Sequence, residues 1–221
     1  MKIICISDTH CRLRKVKVPK GDLLLHSGDL TFRGDIQEIS QELQELGRIA
    51  KNFKHGCVFI CGNHDFLGER NPTLMKQMAL DHGLTYLDHS SVEIEGIKIF
   101  GSAYTPEFCN WAYNVPRGAP LKAKWAQIPD DTNVLLTHGP AMGILDGVER
   151  FDPMTRESEI EHVGCYDLYD RIQELKQLQL HVFGHIHLGY GQVKKGNVTY
   201  INASVCTEEY KPLNVPITFE L

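Results

Sequence analysis

The sequence predicts a layered α/β sandwich, and three observations carry that reading. Short apolar runs end abruptly in polar, glycine-rich turns; amphipathic helical stripes lie between them; and two later segments read as hairpins centred on glycine.

The apolar runs cover 2–7, 22–27, 57–61, 133–137 and 181–183. Their apolar residues are continuous rather than alternating, as expected of strands covered on both faces. Between 36 and 53, Ile36, Ile39, Leu43, Leu46, Ile49, Ala50 and Phe53 form one stripe at helical spacing. Asp35, followed three residues later by Glu38, starts this helix as a capping-box variant. Segments 72–82, stopped by Gly83, and 166–178 read as two further helices. Hairpins are expected at 91–102 and 190–202, around Gly96 and Gly196.

With 221 residues, 42% hydrophobic and 23% charged, the chain suits a single domain spanning 1–221. A net charge of -5 argues against a partner that is a nucleic-acid polymer or an anionic membrane. It leaves a phosphate substrate open, because bound cations reverse the local field in a pocket. No run approaches the roughly 20 apolar residues of a membrane span. The opening MKIICISDTHC has no basic stretch leading into an apolar segment, so no secretory signal is expected. Seven scattered cysteines lack zinc-ribbon spacing and read as reduced, mostly buried thiols of a cytoplasmic protein.

Five polar clusters follow the strand-like runs: Asp8-Thr9-His10, Gly28-Asp29, Gly62-Asn63-His64-Asp65, His138-Gly139 and Gly184-His185-Ile186-His187. In an open α/β sheet the loops at the carboxyl ends of strands line a common crevice, so these distant residues can converge. Asp8 and His10 are two apart, as are His185 and His187; a locally extended backbone would aim each pair one way. Carboxylate, imidazole and amide donors together suit Mn, Fe, Zn or Co better than Ca. A carboxylate between two ions bridges them at roughly 3.5–4 Å, an arrangement that performs in-line displacement at phosphorus. His64, oriented by the adjacent Asp65, is the expected proton donor to the leaving oxygen. Taken singly, Asp-x-His is more often a surface turn, and a lone histidine at a strand end more often a satisfied structural residue. All five clusters in this order leave that bland reading little weight.

The order of these clusters resembles the calcineurin-like metallophosphoesterase superfamily, from Asp8 to His187. That resemblance implies a four-layer αββα sandwich and a two-metal site. It assigns one ion to Asp8, His10, Asp29 and His187, and the other to Asp29, Asn63, His138 and His185, with Asp29 as bridge and His64 catalytic. Manganese is the metal expected to support activity. Residues 100–118, 136–140, Gly164-Cys165 and 182–191 are similar to the group of metallophosphoesterase-domain-containing proteins 1 and 2. That group resembles class III cyclic nucleotide phosphodiesterases, which implies phosphodiester hydrolysis. It has Glu where this chain has Asp65, and either acid can orient His64. Some members lack the first histidine of Gly-His-x-His; this chain keeps it as His185.

Other candidates are weaker. Arg33 follows Asp29 at the spacing of a phosphate-contacting arginine in Ser/Thr protein phosphatases, and a bidentate guanidinium fits phosphoryl oxygens. It is equally a solvated loop charge. Tyr104, Phe108, Trp111 and Tyr113 could stack on a nucleobase, although packing of their loop is the default. Asn202 reads as a turn residue, with a supporting place behind the metal ligands as the alternative. His26, His55, His82, His89, His162 and His181 match no motif and read as structural or surface residues. The expectation is a phosphodiesterase for cyclic nucleotides or other small phosphate esters. The alternatives are a broad-specificity phosphomonoesterase with the same site, or a non-catalytic scaffold retaining the fold.

Overall fold

The computed structural model describes residues 1–154 and 156–221. Its first half alternates strands β1 (Lys2–Ile6), β2 (Leu23–His26), β3 (Cys57–Phe59) and β4 (Thr85–Tyr86) with helices α1 (Ile36–Ala50), α2 (Phe66–Arg70) and α3 (Pro72–Asp81). There follow the hairpin β5 (Ser90–Ile94) and β6 (Ile97–Ser102), short strands β7 (Thr105–Pro106) and β8 (Asn114–Val115), helix α4 (Ala119–Trp125) and β9 (Val134–Thr137). A ribbon of β10 (Gly147–Asp152) and β11 (Glu157–His162) precedes α5 (Tyr166–Glu174) and β12 (Leu180–Phe183). The chain then forms the hairpin β13 (Gly191–Lys195) and β14 (Val198–Asn202), and ends its regular structure with β15 (Ile217–Glu220).

Two mixed sheets result. One has the order β15-β1-β2-β3-β4, parallel except for β15; the other is β13-β14-β12-β9-β6-β5, with a parallel centre and an antiparallel hairpin at each edge. Side chains on a strand alternate between faces. Ile3, Cys5, Leu23 and Leu25 therefore meet Val134, Leu136, Leu180 and Val182 of the other sheet in one buried layer. Ile4, Ile6, Leu24 and Phe59 turn the other way, onto Ile39, Leu43 and Leu46 of α1. Leu135, Phe183 and Tyr200 pack against Leu121 and Trp125 of α4 and Leu168 and Ile172 of α5. The layers run α-β-β-α, and burial of both faces explains why the central strands read as unbroken apolar runs.

Local departures from expectation have local causes. Asp35 caps α1, accepting from Gln37 N at 3.0 Å and Glu38 N at 2.9 Å, but Glu38 does not reach back to complete the box. Its Oε2 accepts instead from the amides of Phe32, Arg33 and Gly34, fixing the loop before the helix. Ile36, expected on the buried stripe, is exposed. Helix α1 ends at Ala50, and Phe53 reaches the core from the following turn. Helix α5 likewise ends at Glu174, while Leu175 and Leu178 stay packed beyond it. Cys57 and Cys61 share a core face, and all seven thiols are unpaired.

Candidate metal centre

The loops that follow β1, β2, β3, β9 and β12 meet at one end of the two sheets. The expected pairwise aiming by extended backbone does not occur: Asp8 (φ 53°), His10 (φ 40°), Asp29 (φ 53°) and His185 (φ 68°) adopt left-handed conformations. Non-glycine residues take that region at a cost, with Asn, Asp and His the most tolerant. Sharp turns, not strand alternation, deliver these side chains to the crevice. Glycines permit the approach. A Cβ at Gly62 would collide with Asp29 Oδ1 and N, and one at Gly184 with Asp8 Oδ2 and Ser7 Oγ.

Most of the candidate ligands are held from behind. Asp8 is fully buried; its Oδ2 accepts from Ser204 Oγ at 2.8 Å and from His185 N at 3.0 Å. Asn202, expected first in a turn role and, as the alternative, behind the ligands, is also fully buried and grips Ser204 N and Oγ through its Oδ1. Its Nδ2 donates to Ile186 O at 2.8 Å, so this one amide ties the last hairpin to the His185–His187 loop. Asp29 Oδ1 accepts from His64 N at 2.8 Å, which leaves Oδ2 facing inward.

Four imidazoles are oriented alike. Nδ1 lies within hydrogen-bond distance of a backbone carbonyl in His10 (Thr31 O, 3.2 Å), His64 (Phe32 O, 2.7 Å), His138 (Ser27 O, 3.0 Å) and His187 (Thr207 O, 2.9 Å). A carbonyl only accepts, so each Nδ1 carries a proton and each Nε2 points its remaining site into the cluster. There the Nε2 atoms of His10 and His187 are 3.3 Å apart, and His187 Nε2 is 3.3 Å from Asp8 Oδ1. His138 Nε2 lies 2.8 Å from Asn63 Oδ1 and 3.3 Å from Asp29 Oδ2. Asp29 Oδ2 also faces His10 Nε2 at 3.8 Å and His64 Nε2 at 3.9 Å. His185 packs its ring 4.9 Å from that of His138.

The electrostatics of this cluster call for positive charge. Burial alone would raise Asp8 and Asp29, but the surrounding imidazoles hold both carboxyls well below their usual range. Burial opposes protonation of His138, yet the Asp29 and Asp8 carboxylates outweigh it and lift the ring to about 9. His187 is raised in the same way, against burial, by Asp8. His10 and His185, where burial dominates, are pushed down to about 4. The field that draws protons onto His138 and His187 would equally draw divalent cations, which compete for the same Nε2 sites. Asp8, His10 and His187 converge closely enough to share an ion, as do Asp8, Asp29 and His138, and His10, Asp29 and His64. This donor set fits a divalent transition metal.

Two expected roles change. Asp65 does not orient His64: its carboxylate accepts from Leu30 N, Thr31 N, Thr31 Oγ1 and Gly62 N. It staples the Asp29 loop to the Gly62 turn, and burial with the Asp29 charge lifts its carboxyl to about 6 despite those bonds. The orienting group for His64 is the Phe32 carbonyl, because Asp65 leads into α2 and faces the opposite way. Arg33 is exposed and does not line the pocket over the cluster; its backbone is pinned outward by Glu38.

That pocket, of about 300 Å³, is bounded by Asp29, Asn63, His64, His185 and His187 below and by Phe108, Trp111, Leu188 and Tyr210 above. Among the described residues no Lys or Arg lines it, and Glu208 adds a negative charge. The basic side chains Arg12, Arg14, Lys15, Lys17 and Lys20 are exposed elsewhere. The aromatic segment divides: Tyr113 packs into the core with Tyr104 against it, while Trp111 lies 4.3 Å from the His64 ring. Tyr210, unremarked in the sequence, meets His10 edge to face with the ring centroids 4.8 Å apart. It stands among ordinary loop residues with no motif to single it out.

A four-layer sandwich carrying Asp and His side chains on the loops at one end of both sheets defines a metallophosphoesterase. The sequence pattern of the calcineurin-like phosphoesterase family matches residues 1–189, and the chain belongs to that family. Human metallophosphoesterase domain-containing protein 1 is 37% identical over 241 residues, covering 100% of this chain and 71% of the human protein. A UPF0046 protein of Caenorhabditis elegans is 34% identical over 99% of this chain and 74% of its own length. A solved structure described as a novel archaeal phosphodiesterase aligns at a TM-score of 0.45 and 18% identity, covering 91% of this chain and 82% of the other.

Proposed function

We propose that the chain is a dinuclear-metal phosphodiesterase. Asp8, His10, Asp29 and His187 would hold one ion, and Asp29, Asn63, His138 and His185 the other, with Asp29 shared by both. The observation that carries this reading is the convergence of inward-facing Nε2 atoms, those of His10 and His138 toward Asp29 Oδ2 and that of His187 toward Asp8 Oδ1, each ring fixed from behind by a backbone carbonyl. Ions in these positions would supply Lewis-acid stabilisation of phosphoryl oxygens and a nucleophile drawn from water.

The chain's own residues do the remainder. The carbonyl of Phe32 fixes the His64 ring, so that a proton on Nε2 is aimed into the pocket at the departing ester oxygen. Trp111 covers one face of that ring and limits its exposure to water. Among the described residues no arginine or lysine lines the pocket, so a diester, which needs no clamp on further phosphoryl oxygens, is the proposed substrate. The unpaired thiols support a reducing, cytoplasmic setting. Cyclic nucleotides or other small diesters are the proposed substrates.

The test is hydrolysis of bis-p-nitrophenyl against mono-p-nitrophenyl phosphate by Mn-loaded protein, with metal content measured on the same samples. Diester preference with two ions per chain is expected. A monoester preference would overturn the diesterase assignment, and Asp29→Ala retaining both ions would overturn the bridge. Absence of turnover, with His64→Ala indistinguishable from the parent, would favour a scaffold.

A further inference from the structure

The turn at 207–211 lies over one side of the acidic and imidazole cluster. Glu208, Glu209 and Lys211 are exposed, whereas Tyr210 is half-buried. The Tyr210 backbone is left-handed (φ 57°), a region that a bulky side chain enters only at a cost. Residues in such conformations persist where their surroundings over-determine them, and they cluster at functional sites. Here one carbonyl supplies the constraint. Thr207 O accepts from Tyr210 N at 2.8 Å and lies 2.9 Å from His187 Nδ1. The turn that holds Tyr210 in this conformation is therefore the turn that orients His187.

The Tyr210 ring reaches across to the opposite loop. Its centroid lies 4.8 Å from that of His10, 5.6 Å from that of His187 and 5.0 Å from that of Phe32, all at steep interplanar angles. Phe32 in turn lies 6.0 Å from His10, and it belongs to the loop after β2. In that loop Thr31 O faces His10 Nδ1 and Phe32 O faces His64 Nδ1. The loop with two of the four orienting carbonyls and the turn with a third are thus joined over His10 by one aromatic pair. Such edge-on pairs stabilise beyond the area they bury. His10 beneath them is 1% exposed, while Phe32 itself is 42% exposed, so burial alone does not account for its place. The Tyr210 hydroxyl has no hydrogen-bond partner among the described residues, which leaves the contact to the ring.

We propose that Phe32 and Tyr210 are a positioning pair. They clasp the two loops over His10 and slow the escape of the ion that Asp8, His10, Asp29 and His187 would hold. The proposal rests on the dinuclear reading, and its test tells the two apart. Protein saturated with Mn, its ions per chain measured beforehand, is mixed with an excess of a colour-forming chelator and release is followed by absorbance. Two phases are expected, because only one ion would lie beneath the pair. Tyr210→Leu and Phe32→Leu should each speed the slower phase by about tenfold, the size of effect that lost supporting contacts produce. The faster phase and the circular dichroism spectrum should not change. Tyr210→Phe should match the parent, and the double variant should be no faster than either single one, since losing one ring already opens the clasp. A slow phase unchanged in Tyr210→Leu at two ions per chain overturns the clasp and leaves the dinuclear reading standing. So does a double variant whose acceleration is the product of the two single ones. Equal acceleration in Tyr210→Phe overturns it as well, by assigning the effect to the hydroxyl. A parent that binds no Mn overturns the clasp and the dinuclear reading together.

Discussion

At the scale of single residues, the candidate centre is defined as much by what stands behind each donor as by the donors themselves. Ser204 places a hydroxyl on Asp8 Oδ2, and Asn202 holds that hydroxyl. Loss of such outer partners typically weakens metal affinity about 10–100-fold. Ser204→Ala should therefore lower Mn affinity by about tenfold in a chelator-competition titration while leaving the circular dichroism spectrum unchanged. His64→Ala should reduce kcat by about 10²–10⁴ with metal content intact, as expected when a proton donor is removed but no ligand is lost. The nine motif residues were legible because their types and order are improbable together. The roles of Asp65 and Tyr210 were not legible, and that of Asn202 only as the lesser of two readings, because those roles depend on contacts between loops far apart in sequence. The partners of Asp65 at Leu30 and Thr31, for instance, lie over thirty residues away.

At the scale of elements, continuous apolar runs marked β1, β2, β3, β9 and β12 because both of their faces are buried. The β10–β11 ribbon gave no such signal: every residue of β11 is exposed, so no core enforces an alternation. Strand β15 and helix α4 are short and only partly apolar, and tertiary packing rather than local pattern selects them. Two buried groups make the elements sensitive to pH in opposite directions. Glu42 on α1 is lifted to about 7, chiefly by burial, and its Oε2 has no partner among the described residues. The folded chain thus holds this proton more tightly than the unfolded one, so its contribution is present below about 4.5 and lost as pH rises through 7. Glu42→Gln should raise the melting temperature at pH 8 relative to the parent and narrow that advantage at pH 5. His181 on β12 is pushed down to about 3 by burial, with Nε2 2.7 Å from Thr137 Oγ1. Its contribution is complete above about 6.5 and is lost as pH falls toward 3. His181→Gln should flatten the loss of stability measured by denaturant titration between pH 6.5 and 4.

At the scale of the whole molecule, the centre is shared between the two sheets. Asp8, His10, Asp29 and Asn63 follow strands of the first sheet, while His138, His185 and His187 follow strands of the second. Ions held there would link the sheets at one end, adding to the apolar layer between them. Each site filled at a hundredfold excess over its Kd contributes about 2.7 kcal/mol. For a chain of this size that corresponds to a rise in Tm of roughly 5–10 °C per ion, which chelation should reverse in a calorimetric scan. The layered architecture was legible from element order together with the family resemblance. Of the pocket walls, Phe108 and Trp111 were among the aromatic residues the sequence offered for stacking, whereas Tyr210 was not, because it joins them only when segments far apart in sequence come together.

The left-handed backbone at Asp8, His10, Asp29 and His185 bears on which sequences the fold will tolerate. Two filters act on the same positions: the chemistry admits Asp, His and Asn, and the torsion angles favour these same residue types along with glycine. A library selected only for soluble, folded protein, with no demand for activity, should still be depleted of Val, Ile and Thr at these four sites. Mutational tolerance there would thus appear functional even in a population that had never been asked to bind a metal.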